Sequence, residues 1–136
     1  MSGAVLRVGG SKQAIRALLA RTRMKPQRVY LQGEPTSPGS VQLARRSYIL
    51  VSASSAEGDD FARQVRDSAR FIRRHLRELR GLRRHRLHAV LDFAVHDTRT
   101  PDRPLLSWRL PVALLELLAA SGIEAEVSVY PSTLTP

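Results

Sequence analysis

A chain of 136 residues, 43% hydrophobic and 25% charged, is long enough for one core and too rich in apolar side chains to stay disordered. It carries 22 Lys plus Arg against 12 Asp plus Glu, a formal charge of +10, which invites an acidic partner without naming one. With no cysteine, disulfides, thiolate metal sites, iron–sulfur clusters and a thiol nucleophile are excluded. No stretch approaches the roughly 20 apolar residues of a membrane helix, and residues 1–10 hold no apolar run of signal-peptide length. A soluble cytoplasmic protein with no membrane contact is expected.

The run Ala4-Val5-Leu6-Arg7-Val8 is short, apolar and β-branched, and Gly9-Gly10 closes it, which predicts a first strand. Ser11 reads as an N-cap, and Ile15, Leu18 and Leu19 repeat at helical spacing. This helix must end by about Met24, because Pro26 lacks an N–H and biases Lys25 away from helical dihedrals. Val29-Tyr30-Leu31 predicts a brief extended piece. Residues 33–40 are turn and coil formers apart from Glu34, so a surface loop is expected there, mobile over 33–46.

Ser47-Tyr48-Ile49-Leu50-Val51-Ser52 is rich in β-formers and predicts a strand. Gly58-Asp59-Asp60 then announces the longest helix, expected to run to about Leu79 or Arg83, with Gly81 as a plausible terminator. Its apolar stripe comprises Ala62, Val65, Ala69, Ile72, Leu76 and Leu79, in alternating steps of three and four, and puts Ile72 and Leu76 mid-core. Residues 87–95 are too apolar for a strand exposed on both faces and read as a central strand. A polar connection, His96 to Pro104, leads to a short strand over Leu105 to Leu110. Pro111 opens a third helix, apolar enough to be well buried, that stops at Ser121-Gly122. Val127-Ser128-Val129-Tyr130 alternates as a final strand, and the tail 131–136 is expected to be mobile. The predicted architecture is a single α+β domain over 1–136. It has a mostly antiparallel sheet of four to five strands and three helices, the second the longest; a parallel α/β arrangement is the alternative.

Two segments carry a family resemblance. The first, Met24-Lys25-Pro26-Gln27-Arg28-Val29-Tyr30-Leu31-Gln32-Gly33-Glu34-Pro35, resembles a pattern ending in Gly, an acidic residue and Pro. The second is the run from Leu110 through Ser121-Gly122 to Tyr130, which looks like a closing helix and strand. With Ser47–Ser52 ahead of an acidic-started helix, the chain resembles the bacterial family catalogued as domain of unknown function 4279 over most of its length. The resemblance implies a small cytosolic α+β protein, and some members are suspected to be immunity proteins that neutralise toxins.

For chemistry, the sequence offers mainly arginine. Arg63, Arg66, Arg70, Arg73, Arg77, Arg80 and Arg84 follow their own three-four spacing, offset by one residue and hence about 100° from the apolar stripe. This ridge of like charge is offset within the run only by Asp67 and Glu78, and a phosphate- or carboxylate-bearing partner would relieve it. The competing reading is a solvated face in a chain that prefers Arg, since only two lysines occur. Aromatic residues make up 5%, which gives little support to a base-stacking platform.

His75, His85, His88 and His96, with Asp92 and Asp97 near in sequence, fix no metal-ligand spacing, so no metal, cofactor or catalytic residue is assigned. Asp92 is either an outward residue of its strand or a partner for an arginine of the long helix. Gly9-Gly10-Ser11-Lys12 lacks the full spacing of a phosphate loop and is better explained by a tight turn and a cap. Trp108 and Tyr130 are placed at a core edge. The resulting expectation is a non-enzymatic protein that binds an acidic protein partner, with nucleic-acid or anionic-ligand binding through the arginine-rich helix as the alternative.

Overall fold

In the computed structural model, which describes residues 3–131, the first predicted strand becomes β1 (Ala4–Gly10) and takes the middle of the sheet. The chain continues through α1 (Lys12–Arg21), β2 (Arg28–Tyr30), β3 (Ser47–Ser54), α2 (Phe61–Arg74) and α3 (Leu76–Arg80). A 3-10 turn (Arg83–His85) leads to β4 (His88–His96), and α4 (Val112–Ser121) and β5 (Glu124–Tyr130) close the fold. Residues 132–136 of the expected tail lie outside the described residues.

Strand order is β2-β3-β1-β4-β5. The β2–β3, β3–β1 and β1–β4 pairs are antiparallel and β4–β5 is parallel, so the sheet is mixed and the expectation of a mostly antiparallel sheet is corrected. The reason lies in residues 105–110. Predicted as a strand, they join no ladder, and residues 104–111 run as coil. With no strand there, the chain recrosses the molecule through α4 before β5, and a crossover of that length returns the next strand parallel. The 87–95 strand is interior but one place off centre, between β1 and β5.

Local chemistry fixes three of the helix ends. The Ser11 hydroxyl accepts the Ala14 N–H at 3.0 Å, and the Asp60 carboxylate accepts the Arg63 N–H at 3.1 Å. Gly122 ends α4 in the left-handed conformation at φ 68°, which glycine adopts without steric cost. The long helix, by contrast, is broken. His75 leaves helical geometry at φ −110°, ψ 17°, so four helices are found among the described residues instead of three. Helical turns on either side carry Arg70, Arg73, Arg74 and Arg77, whose mutual repulsion weakens a continuous helix. The break turns Leu79 fully inward and leaves Leu76 half-buried, which corrects the placement of Leu76 in the core.

Alternation along the strands sends Leu6, Val8, Ile49, Leu91 and Phe93 to one face. There they meet Ile15 and Leu18 of α1, Val65 and Ile72 of α2, and Leu114 and Leu118 of α4. Each such side chain contributes about 1.5–3 kcal/mol on burial, which holds the helical layer to that face. α4 is less buried than its composition predicts: Val112 is 69% exposed and Leu115 44%. The opposite sheet face, with Val5, Arg7, Gly9, Tyr48, Leu50 and Asp92, is half-buried and carries no described helix. The 33–46 loop folds on itself through the Pro35–Leu43 bridge and through backbone bonds from the Ala44 N–H to the Glu34 carbonyl, the Gly33 N–H to the Ala44 carbonyl and the Thr36 N–H to the Gln42 carbonyl.

Candidate functional site: an arginine surface on the helical layer

All seven predicted ridge arginines are exposed. Arg63, Arg66, Arg70 and Arg73 stand on α2, Arg77 and Arg80 on α3 and Arg84 in the 3-10 turn, so the ridge bends where the helix breaks. Arg63 lies 3.5 Å from Asp67. Among the described residues the other six form no ion pair.

Of the two acids expected to offset the ridge, Asp67 is shared between Arg63 and β3, and Glu78 is engaged elsewhere. Asp67 accepts the Ser54 hydroxyl at 2.7 Å, which ties its carboxylate to the end of β3. Glu78 accepts the Thr22 hydroxyl and, at 3.3 Å, the Arg23 N–H, and so anchors α3 to the end of α1. The repulsion among the arginines is therefore left largely uncompensated inside the protein.

The bend creates a feature that sequence spacing misses. Arg21 and Arg23 at the end of α1 meet Arg74, Arg77 and Arg84 around a depression of about 430 Å³. His75 and His85 also line it, and Glu78 is its one carboxylate. Arg21, Arg23 and Arg74 lie outside the ridge pattern; the cluster of basic residues just ahead of Pro26 is the signal that marks the first two. Burial holds the His75 imidazole below its ordinary range, Arg74 pushes the same way and Glu78 opposes, so the depression favours a neutral His75.

The remaining candidates are scattered. His75 packs on Phe71, with ring centroids 4.7 Å apart, and His85 is exposed in the 3-10 turn. His88 and His96 occupy opposite ends of β4. His88 Nε2 lies 3.6 Å from Glu124, and His96 packs where a side chain on Gly58 would stand. Asp92 faces the open side of the sheet and accepts the Ser128 hydroxyl at 2.7 Å; of its two predicted roles, the outward one is found. Arg99 donates to Asp97 from its backbone and guanidinium, which holds that carboxyl down to about 2. Among the described residues no three His, Asp or Glu side chains group as a metal site. Lys12 of the Gly-Gly-Ser-Lys segment pairs with Glu34 at 2.9 Å, and Ser11 is occupied as a cap. Trp108 is half-buried, as is Tyr130 at the end of β5.

Among the described residues, no helix is long and apolar enough to cross a membrane. Compared with protein-family models, curated proteins and solved structures, the chain matches none.

Proposed function

We propose that this is a non-catalytic cytoplasmic protein that binds an acidic surface of a protein partner through its arginine ridge. The observation that carries this reading is that six of the seven ridge arginines are exposed without an ion pair among the described residues, while Asp67 reaches only Arg63 and Glu78 serves other contacts. Carboxylates on a partner would relieve the repulsion and accept the forked guanidinium donors. No aromatic ring of the described residues stands exposed on the ridge: Phe61 and Phe71 pack towards the core, and Tyr30 and Tyr48 pair at the far side of the sheet. This favours a protein surface over single-stranded nucleic acid. The resemblance to the domain of unknown function 4279 family adds toxin neutralisation as the use of such binding.

A second reading, nucleic-acid or anionic-ligand binding, is favoured by the concave basic depression between α1 and α3. Co-expression with the products of adjacent reading frames separates the two. A stoichiometric complex with one of them, surviving gel filtration in about 0.15 M salt and lost when Arg66, Arg70, Arg73 and Arg77 are changed together to Gln, supports the protein-binding reading. Tight binding of generic RNA or duplex DNA that vanishes in the same variant would favour the second.

A further inference from the structure

On the sheet face opposite the ridge, the ends of β1, β3, β4 and β5 surround a depression of about 850 Å³, within the size range of small-molecule sites. Gly9 forms part of its floor, Tyr48 stands beside Gly9, and Arg45, Arg46 and Arg86 line it. At the β5 side, Arg7 and His88 are engaged by Glu126 at 3.1 Å and Glu124 at 3.6 Å. Arg45, Arg46 and Arg86 form no ion pair among the described residues and are exposed. Three uncommitted guanidiniums therefore share one concavity.

Two of these residues are poor choices for the fold alone. Gly9, next to last in the middle strand, is still paired on both sides, with Tyr48 and with His88. A Cβ there would meet nothing closer than 3.8 Å, so neither crowding nor a positive φ calls for glycine, and a paired strand position favours a side chain. The neighbouring Gly10 differs: a Cβ would approach Leu87 to 2.9 Å and the Arg86 carbonyl to 3.2 Å, an ordinary packing reason. Arg86 adopts φ 58°, ψ 36°, the one positive-φ non-glycine among the described residues, where a side chain is disfavoured and glycine is not. Both departures face the same depression. Gly9 deepens the floor and Arg86 adds a forked donor at the wall.

We infer that this depression is a binding site for a small organic phosphate, with the phosphate held by Arg45, Arg46 and Arg86 and the body of the molecule lying over Gly9 against Tyr48. Arginine suits phosphate through paired donors, and the missing Gly9 side chain exposes a shelf beside an aromatic ring. The site is independent of the ridge, so it stands or falls separately from the protein-binding reading.

The test is an NMR titration of the isotope-labelled full chain with adenosine 5′-monophosphate and with inorganic phosphate. The nucleotide should shift the amides of Gly9, Tyr48, Arg86 and His88 and bind at least about tenfold more tightly than inorganic phosphate, because the ring adds contact on the shelf. Gly9→Val should keep the fold and remove nucleotide binding, and joint Arg45→Gln and Arg46→Gln should weaken it about tenfold or more. Arg86→Gly should raise the thermal midpoint while weakening binding, a combination that a purely structural residue does not produce. Absence of shifts with either probe, shifts confined to α2 and α3, equal affinity for the two probes, or unchanged affinity in Gly9→Val and Arg86→Gly would each overturn the assignment.

Discussion

The Gln64 amide donates to the Ala94 carbonyl at 2.8 Å and to the Glu57 carbonyl at 3.1 Å, and so pins α2 to β4 and to the loop ahead of the helix. Gln64 is fully buried, and no apolar-stripe rule would place a glutamine there. The bond fixes the rotation of α2 on the sheet, and thereby which arginines point outward.

Gln64→Ala should accordingly destabilise the protein by about 2–4 kcal/mol, through the two carbonyls left short of a donor and the cavity created. Urea unfolding measures it; an unchanged midpoint would show that the amide bonds do not hold the helix.

Ile72→Ala and Leu76→Ala should differ. Ile72 is 1% exposed at the centre of the core and its truncation should cost about 2–5 kcal/mol, whereas half-buried Leu76, beyond the break, should lose clearly less. Equal losses would indicate that α2 runs unbroken into α3.

Stability should depend on pH through His75. Its folded-state pKa is lowered, chiefly by burial, so the unfolded chain takes up the proton more readily. The associated stability is fully present above the unfolded value of about 6.5 and is lost as pH falls through the folded value. The urea midpoint should therefore fall between about pH 7.5 and about pH 5.5, and fall less in His75→Gln. An identical fall in both proteins would exclude His75 as the source.

Features set by neighbours in sequence were legible. Ser11 and Asp60 are caps by local chemistry, the strands around Leu6, Ile49 and Leu91 follow from composition, and the three-four spacing of the arginines places all seven on the surface. Features set by distant contacts were not. Neither Gly nor Pro marks the break at His75, beyond which Leu79 turns into the core. The β-like composition of 105–110 says nothing about whether a partner strand is available, and the parallel return of β5 depends on that. The basic depression needs the end of α1 beside α3, a juxtaposition held by Glu78 across more than fifty residues.

That the ridge meets an acidic protein surface is tested most directly by the dissociation constant of the co-expressed complex, measured from about 0.05 to about 0.5 M NaCl for the native chain and for the variant with Arg66, Arg70, Arg73 and Arg77 changed to Gln. The native complex should weaken steeply with salt. The variant should bind more weakly at low salt and show a much flatter dependence, with its fold intact because Gln is a good helix former. Parallel salt dependences with equal affinities at every concentration would contradict the account and leave the ridge a solvated face.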